Sequence, residues 1–350
     1  MIRARTLIAE LRGLSLTLPN PLLLISPAVI RESIASSQIE NINTTVQEVL
    51  QSQLFPLDEQ RSVDKEVLRY REAVLWGFKH KRLPISTRLI LGIHEKLIPS
   101  GGGQYRKQQN KIEDSTTHEV LYTPPIAPDV PMLMSDWENT ANQQTEDPDP
   151  LLRCAMLHYQ FEAIHPFLDG NGRTGRILMV LQLVREKLLP LPTLFVSGYL
   201  DHHRSEYYKL LRNITAQGDW TPYLRFMLVA FAEQAEETRN LLLAIRGLYF
   251  STKRILKKRF SRIYSVELLD ALFSTPIISP VRLSEIIGTH YATASKYLQQ
   301  LAKAGYLRER WVGKYHLYAN TQLVKVFSMP RLAIRHGRGK SNAGQDRKTA

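Results

Sequence analysis

The sequence contains a single cysteine, Cys154, among its 350 residues. One thiol excludes a disulfide framework and any zinc module built from cysteines, and it favours a reducing compartment such as the cytoplasm. No apolar stretch reaches the roughly 18 uninterrupted residues that a membrane-spanning helix needs, so we expect no membrane partner. Glycine (18) and proline (19) occur in ordinary amounts, which excludes collagen-like and fully disordered chains. The chain is long enough for two or three domains with a buried core.

Positive charge is concentrated at the C-terminal end of the chain. Residues 240–350 contain 20 Lys and Arg against 5 Asp and Glu, whereas residues 1–239 contain 26 against 28. A basic region attached to a nearly neutral body indicates a module with an anionic partner, and nucleic acid is the usual one. The polar and basic residues 328–350 predict a disordered tail.

Most of the chain has the apolar spacing of amphipathic helices, which predicts a mainly α fold. We predict an N-terminal helical segment over residues 1–62, a helical core over 63–240 and a linking helix over 241–262. Within the core, residues 104–126 contain two β-prone pieces joined by the polar turn 114–119. This pattern predicts a β-hairpin.

Residues 263–327 predict a winged helix-turn-helix module. A short helix ends at Gly288, and a second helix from Ala292 presents Lys296 and Gln299 on its outer side, as a helix that contacts DNA would need. Two short strands after it would form the wing. The same shape also serves dimerisation or the docking of a target, so a DNA partner and a homodimer both stay open.

Residues 165–176 read HPFLDGNGRTGR and contain the chemically informative groups. Glycines in the loop let backbone amides approach a ligand, and the N-terminus of the following helix adds partial positive charge, so the two together suit a phosphate. Arg173 and Arg176 lie one helical turn apart and can hold a polyphosphate. Asp169 is a hard oxygen ligand that suits Mg²⁺, and His165 is a natural proton acceptor near neutral pH. The combination predicts phosphoryl or nucleotidyl transfer.

Each of these residues taken alone has a simpler explanation. A GNG turn with nearby arginines could be a solvated surface loop, and the histidine could belong to the core. Seven such residues within twelve positions favour a site instead. The stretch is neither a Walker-type phosphate loop nor a dinucleotide fingerprint, because it lacks the GKS or GKT sequence and a preceding strand.

The stretch resembles, position for position, the signature of the Fic family: His, any, Phe, any, Asp or Glu, Gly-Asn-Gly-Arg, two any, Arg. The resemblance extends from about Ser33 to Phe327, and the chain is similar to bacterial Fic proteins with a C-terminal winged helix. It implies a Fic-type helical core with a β-hairpin flap over the site. It also implies adenylylation, the transfer of AMP from ATP to a protein hydroxyl with release of pyrophosphate.

The resemblance also implies roles for individual residues. His165 is the base that takes the proton of the target Ser, Thr or Tyr hydroxyl, and Asp169 holds Mg²⁺. Asn171 places the α-phosphate, while Arg173 and Arg176 hold the outer phosphates. The residues expected around ATP are Gly170, Asn171, Gly172, Arg173, Thr174, Gly175, Arg176 and His203, with Tyr207 and Tyr208 as further candidates beside the adenosine that are equally compatible with a core position.

Residues 36–41, SSQIEN, resemble the inhibitory motif of the family: Ser or Thr, three any, Glu, then Gly or Asn. Ser36, Glu40 and Asn41 fit this motif. The resemblance implies that Glu40 pairs with Arg176 and competes with the γ-phosphate for its guanidinium, which would make the enzyme autoinhibited. A buried ion pair of this kind is suited to a switch. In some family members the same glutamate removes AMP, and the sequence leaves that role open.

The flap suggests how a target protein would bind. A hairpin with an open edge can accept an extended segment of the target as an added strand and present its hydroxyl to His165. Two rival functions stay open beside AMP transfer. One is a related enzyme that transfers phosphate or phosphocholine, and the other is a DNA-binding regulator whose core only senses nucleotide.

Overall fold

The computed structural model describes residues 1–18, 20–113, 120–145 and 147–328, and the fold is mainly α-helical, as predicted. Amphipathic and fully apolar helices enclose one continuous hydrophobic core. The helices are α1 Ile2–Leu16, α2 Pro21–Ile39, α3 Val46–Ser52, α4 Ser62–Lys79, α5 Thr87–Leu97, α6 Val130–Asn142, α7 Pro150–Ile164, α8 Asn171–Arg185, α9 Ser197–His202, α10 Arg204–Gln217, α11 Trp220–Arg259, α12 Val266–Ser274, α13 Pro280–Ile287, α14 Tyr291–Lys303 and α15 Thr321–Ser328. None of the helices in the described ranges is long and apolar enough to cross a membrane.

The N-terminal segment packs onto the core through two helices. α1 lies along α11 and buries Ile8 and Leu11. α2 begins at Pro21, where proline is tolerated because the first helical position has an N–H without a partner in the helix. α2 contacts α4, α9 and α8, so the inhibitory motif at its end lies against the helices of the core.

In the core, α7 packs against α8, the next helix in the chain. α7 starts at Pro150 with Asp149 as its N-cap, whose carboxylate accepts a hydrogen bond from the Leu151 amide at 2.8 Å. α7 ends at Ile164, before Pro166, because the residue before a proline disfavours helical geometry. The twelve-residue motif therefore forms the turn between these helices and the first turns of α8.

The predicted hairpin is present in the part that the structure describes. β1 Ile112–Glu113 pairs antiparallel with β2 Val120–Tyr122, and the turn at 114–119 lies outside the described residues. The hydroxyl of Tyr122 donates to the Ala163 carbonyl at 2.9 Å, which ties the hairpin to the end of α7. The flap is thereby anchored next to His165.

The C-terminal module contains α12, α13 and α14 together with a three-stranded sheet in the order β3-β5-β4. β3 lies between α12 and α13 in the chain, and the other two strands follow α14. The strands are β3 Ile277–Ile278, β4 Arg308–Val312 and β5 Tyr315–Ala319, of which β3 was not predicted. α13 ends at Gly288 in the left-handed region, as expected. This arrangement is compatible with the predicted winged helix-turn-helix. The predicted linking helix 241–262 corresponds largely to the second half of α11. Residues 329–350 of the predicted tail lie outside the described residues.

The tip of the β4–β5 hairpin contacts the N-terminal segment. Lys314 forms an ion pair with Glu59 at 2.7 Å, and the hydroxyl of Tyr315 donates to the same carboxylate at 2.7 Å. The ring of Tyr315 lies 4.7 Å from that of Phe55. The predicted wing is therefore docked on the segment between α3 and α4.

Candidate active site

The turn between α7 and α8 has two residues in the left-handed region. His165 has φ 49° and ψ 59°, and its amide donates to the Phe161 carbonyl at 3.0 Å as α7 ends. Gly170, with φ 78°, directly precedes α8, where glycine has little steric cost. Between them Phe167 is fully buried and stacks on His94 with ring centroids 3.6 Å apart. The packing of Phe167 against His94 therefore anchors the loop to the core.

Asn171 holds the loop closed on itself. Its side-chain amide donates to the Phe167 carbonyl at 2.8 Å, and its carbonyl oxygen accepts from the Phe167 amide at 2.8 Å. The residue is buried. These two bonds use one of the two N–H groups of the side-chain amide and one lone pair of its oxygen, so a further donor remains. Contact of Asn171 with the α-phosphate stays a prediction.

His94 on α5 also supports the loop, a role that no sequence pattern indicated. Its Nδ1 accepts from the Gly103 amide at 3.1 Å, so Nε2 bears the proton and donates to the Asp169 carbonyl at 2.9 Å. Burial lowers the pKa of His94, which keeps the ring neutral. His94 therefore fixes the backbone of the predicted metal ligand.

The N-terminus of α8 forms an anion site. The first amides of the helix have no acceptor within it and carry partial positive charge. A Cβ on Gly172 would lie 2.7 Å from Oε1 of Glu40 and 2.8 Å from Nη1 of Arg176, so only glycine leaves room there. The carboxylate of Glu40 thus lies over the helix N-terminus, in the position that suits a phosphate oxygen.

Arg176 forms the predicted pair with Glu40. Its Nη2 donates to Oε1 of Glu40 at 2.9 Å, and the arginine side chain is 2% exposed against 36% for the glutamate. Nε of Arg176 donates to the Ser36 hydroxyl at 2.8 Å, and Nη2 also donates to the Ser36 carbonyl at 3.0 Å. Burial lowers the pKa of Arg176, but the charge and hydrogen bond of Glu40, together with Tyr70 and Glu162, more than offset this and raise it. A buried guanidinium of this kind needs an anionic partner.

Asn41 explains the last position of the inhibitory motif. It has φ 61°, and its amide donates to the Gln38 carbonyl at 2.9 Å as α2 ends. Asn and Gly are the residues that adopt this left-handed C-terminal geometry most readily. Arg204 of α10 also binds the end of α2. Its Nη1 donates to Oδ1 of Asn41 at 3.0 Å, and its Nη2 donates to the Gln38 carbonyl at 2.5 Å.

Arg173 and Arg176 do not share partners, although they lie one turn apart. Nη1 of Arg173 donates to Glu66 on α4 at 3.1 Å, and Nη2 lies 3.3 Å from Oδ2 of Asp169. Asp169 is exposed, with 72% of its side chain accessible, and its Oδ1 accepts from the Gly170 amide at 2.6 Å. The two arginines therefore occupy opposite flanks of the loop, one beside the predicted metal ligand and one beside Glu40.

His165 is neutral and oriented. Nδ1 faces the Glu162 carbonyl at 3.3 Å, and because a carbonyl only accepts, Nδ1 bears the proton and Nε2 is free to accept one. Burial lowers the pKa of His165 to about 4, and the positive charge of Arg106 acts in the same direction. A neutral imidazole of this tautomer suits a general base at physiological pH.

Three further candidate residues are Thr174 and Gly175 on α8 and His203 between α9 and α10. Thr174 is buried and its hydroxyl donates to the Gly170 carbonyl at 2.8 Å. Gly175 faces Phe161 and Glu162 of α7, where a Cβ would clash. Both residues support the loop on the side of the core, and their contact with ATP stays a prediction. His203 stacks on Tyr199 with centroids 4.1 Å apart and stays a prediction.

The two tyrosines of α10 differ in their surroundings. Tyr207 is buried, and its hydroxyl lies 2.7 Å from Nε2 of His158, so it belongs to the core. Tyr208 is 39% exposed. The pKa of Tyr208 is raised to about 12 by burial of its hydroxyl and by the Glu40 charge. Of the two, Tyr208 is the one placed near the Glu40–Arg176 pair.

Comparison with known proteins identifies the class of this fold and site. The model of the Fic/DOC family matches residues 84–183, and that of the Fic/DOC family N-terminal region matches residues 1–79. Together they span a little more than half of the chain, which therefore belongs to the Fic/DOC family. Residues 248–323 match the C-terminal domain of the SoFic-like protein adenylyltransferases.

Individual relatives agree with this assignment. The chain is 32% identical over 168 residues to the protein adenylyltransferase Fic of Drosophila grimshawi, covering 47% of this chain and 31% of the relative. It is 33% identical over 164 residues to the one of Culex quinquefasciatus, covering 45% and 29%. The chain thus spans about a third of the length of these relatives.

Solved structures share the fold. A Fic family protein from Desulfovibrio desulfuricans aligns with a TM-score of 0.56 at 23% identity, covering 91% of this chain and 96% of that one. A Fic domain-containing signalling protein from Bacteroides thetaiotaomicron aligns with a TM-score of 0.55 at 17% identity, covering 68% and 96%. The first of these extends over nearly the whole chain, including the region of the C-terminal module.

Proposed function

We propose that the protein is a protein adenylyltransferase that transfers AMP from ATP to a Ser, Thr or Tyr hydroxyl of a target protein and releases pyrophosphate. One observation supports this most strongly. At the N-terminus of α8 an anion, the Glu40 carboxylate, already lies against Arg176 and over Gly172, beside the neutral His165. An anion site next to a proton acceptor is what phosphate-ester chemistry requires.

The chemistry follows from these groups. The target hydroxyl oxygen forms a bond to the α-phosphorus, while the bond from that phosphorus to the bridging oxygen of the β-phosphate breaks. The hydroxyl proton passes to Nε2 of His165, and the negative charge leaves on pyrophosphate. Amides at the start of α8 and the guanidinium of Arg176 would stabilise the phosphate oxygens.

Magnesium is the expected partner of the phosphates, and the residues fit it. Asp169 is an exposed carboxylate at the mouth of the loop. Within the described ranges no group of three or more His, Cys, Asp or Glu could hold a metal ion without help. Mg²⁺ commonly uses one or two carboxylates together with water and substrate phosphates. When bound, it would neutralise phosphate charge, and Asp169 would hold it.

We propose that Glu40 restrains this activity. Its carboxylate competes with the γ-phosphate for Arg176, and Ser36 shares the same guanidinium. The arrangement also leaves AMP removal open as a second activity, because the Glu40 carboxylate lies over the α8 N-terminus, where it could activate water. Restraint and removal differ in one measurable respect, namely whether labelled AMP on a target disappears faster when Glu40 is present.

The transferred group can be identified with labelled ATP. The Glu40→Gly variant is incubated with Mg²⁺ and a cell lysate, once with α-labelled and once with γ-labelled ATP. Label on protein from α-labelled ATP alone supports AMP transfer, and a mass gain of one AMP on the partner identifies the target. Label from γ-labelled ATP alone would establish phosphate transfer instead, and no label from either would leave nucleotide sensing.

We expect Gly172→Ala to weaken ATP use in the Glu40→Gly background. The new methyl group would meet Arg176 Nη1 at 2.8 Å, and overpacking of this degree costs about 1–3 kcal/mol, roughly 5- to 150-fold in KM for ATP. Steady-state AMP transfer at varied ATP measures this. Gly247→Ala is the matched control, since a Cβ there has nothing within 4 Å. An unchanged KM would contradict an anion site at Gly172.

The pH profile tests the state of His165. Because burial lowers the pKa of His165 to about 4, kcat/KM for ATP should stay level from neutral pH downward and fall only near pH 4. A solvated histidine would lose activity near its ordinary value, about 6.5. The profile of the Glu40→Gly variant between pH 4 and 8 distinguishes these, with circular dichroism to exclude unfolding at the acid end. Half-maximal activity near pH 6.5 would contradict a buried neutral base.

We propose two partners for the surfaces outside the loop. A target segment would pair with the open edge of the β1–β2 flap.

The second partner is DNA, which the C-terminal module would bind as a winged helix. The exposed Lys296 and Gln299 on α14, together with the basic charge of the region, support the second proposal. The wing residue Lys314 is held by Glu59, so DNA contact would use α14. Steeply salt-dependent DNA affinity that falls in Lys296→Ala is the expected result.

The cell compartment is a further part of the proposal. The only thiol, Cys154, is buried, and burial raises its pKa. A reducing, cytoplasmic location accords with a chain that uses no disulfide.

A further inference from the structure

Arg106 is a buried arginine whose guanidinium faces backbone carbonyl groups. It lies at the base of the flap and is 4% exposed. Its Nε donates to the His165 carbonyl at 2.9 Å, its Nη1 to the Gln108 carbonyl at 3.2 Å, and its Nη2 to the Pro125 carbonyl. Its backbone amide donates to the Pro166 carbonyl at 2.9 Å. Among the residues the structure describes, no carboxylate forms an ion pair with it.

These contacts join three parts of the site. Gln108 lies on the first leg of the flap, Pro125 on the second, and His165 at the end of α7. A planar guanidinium has several fixed donors, so one side chain can hold three separate carbonyls in one plane. The two legs of the flap and the loop of the proposed base are therefore tied to a single group.

The contact with His165 has a specific consequence for its backbone. His165 has φ 49°, a region that costs non-glycine residues energy and persists only when the surroundings enforce it. Arg106 binds the carbonyl of that residue and the next one, Pro166. Because the backbone angles of His165 determine where its imidazole lies, fixing the carbonyl also fixes the ring.

We propose that Arg106 is a positioning residue that couples the flap to the base: it holds His165 in its left-handed conformation and places a positive charge beside its imidazole. The inference rests on the proposed function, since it assigns His165 the role of base. It goes beyond that function because it links the proposed docking surface for the target to the proton acceptor. A displacement of one would then displace the other. Distortion of either flap leg would then move the imidazole.

The electrostatic part of the proposal depends on all charges near His165. Burial has the largest effect on its pKa and lowers it, the Glu162 carbonyl raises it, and the Arg106 charge lowers it. Two carboxylates, Glu40 and Asp169, raise it. Removing the positive charge at Arg106 should therefore raise the pKa of His165, whereas keeping a charge there should not.

Two substitutions separate position from charge. Arg106→Met fills similar space without donors or charge, and Arg106→Lys keeps the charge but cannot bridge three carbonyls. Both are made in the Glu40→Gly background, with Arg153→Met as the control. Arg153 is equally buried and also donates to a backbone carbonyl, that of Thr145 at 2.8 Å, but it lies at the far end of α7.

The readouts are kcat, KM for ATP, and the NMR titration of the His165 imidazole in each variant. We expect kcat to fall about 10²-fold in both Arg106 variants, as a small misplacement of a reacting group can cause, with KM for ATP unchanged. The His165 titration should move to higher pH in Arg106→Met alone. Arg153→Met should lower the melting temperature without either effect.

The outcomes decide the two proposals separately. If the Glu40→Gly parent transfers no AMP, the proposed function fails, yet the imidazole titration still tests Arg106 without any activity. An unmoved His165 titration in Arg106→Met would overturn the electrostatic part of the inference. Normal kcat in the folded fraction of both Arg106 variants, with only a lowered melting temperature, would reduce Arg106 to a structural residue.

Discussion

Replacing Glu40 with glycine is expected to raise AMP transfer by about 5- to 150-fold, the range of a coupling of 1–3 kcal/mol. The carboxylate lies 2.9 Å from Arg176 and over Gly172. ATP must displace it before a phosphate oxygen can use the guanidinium and the first amides of α8. Glycine also suits the end of α2, where the chain turns, so the change removes the competitor without a new side chain.

The same substitution should lower stability, and this gives a second readout. Arg176 is buried, and removing its carboxylate partner leaves an uncompensated charge. Because Glu40 is itself 36% exposed, the cost should be smaller than the about 3–5 kcal/mol of a fully buried pair. ATP with Mg²⁺ should then raise the melting temperature of Glu40→Gly more than that of the unaltered protein, because phosphate replaces the carboxylate. Activity and stability would thus change in opposite directions.

A matched control separates this effect from a general loss of negative charge. Glu48, in the same segment, caps α3 and pairs with Arg61 instead of the site arginine. Glu48→Gly should destabilise the protein without increasing label from α-labelled ATP. Equal label in Glu40→Gly and the unaltered protein, with equal stabilisation by ATP, would remove the inhibitory role from Glu40.

The residues of the loop and the inhibitory pair could be predicted from the sequence because their chemistry is local or belongs to a motif. The run from His165 to Arg176 is contiguous, so its glycines, cations and imidazole could be interpreted together. Glu40 lies 136 residues before Arg176, and only the family motif linked them. Nothing in the spacing of either helix shows that α2 ends above the start of α8.

The supporting residues could not be predicted, for a physical reason. His94 and Arg106 act through hydrogen bonds to backbone carbonyls, and a carbonyl has no side-chain identity that a sequence pattern could reveal. Asn171 is predicted to place the α-phosphate, and its side chain also binds the backbone of Phe167. Such contacts with the loop become visible only in the folded chain.

The fold shows the same division between local and distant effects. The helix end at Gly288 follows from backbone sterics and was predicted. The short strand β3 was not, because Ile277–Ile278 forms a strand only by pairing with β5, some forty residues later in the sequence. The contact of Lys314 with Glu59 likewise joins two surfaces that are distant in the sequence, and no pattern in either segment predicts it.

Replacing His165 is expected to have the largest effect, a loss of AMP transfer of about 10²- to 10⁴-fold in the Glu40→Gly background, the usual contribution of a general base. Nε2 of His165 is the acceptor that its tautomer leaves free. ATP binding should persist, since the anion site is built by α8, Arg176 and the loop contact of Asn171. Calorimetry of ATP binding alongside label transfer from α-labelled ATP measures both quantities.

Two variants at this position separate the lost base from a disturbed backbone. Alanine removes the imidazole but disfavours φ 49°, whereas asparagine tolerates the left-handed region and also lacks a base. If proton transfer is the role of His165, both variants lose activity alike and both bind ATP. His202→Ala, an exposed histidine on α9, should keep full activity. Substantial transfer by His165→Asn would show that this position shapes the loop and that another group accepts the proton.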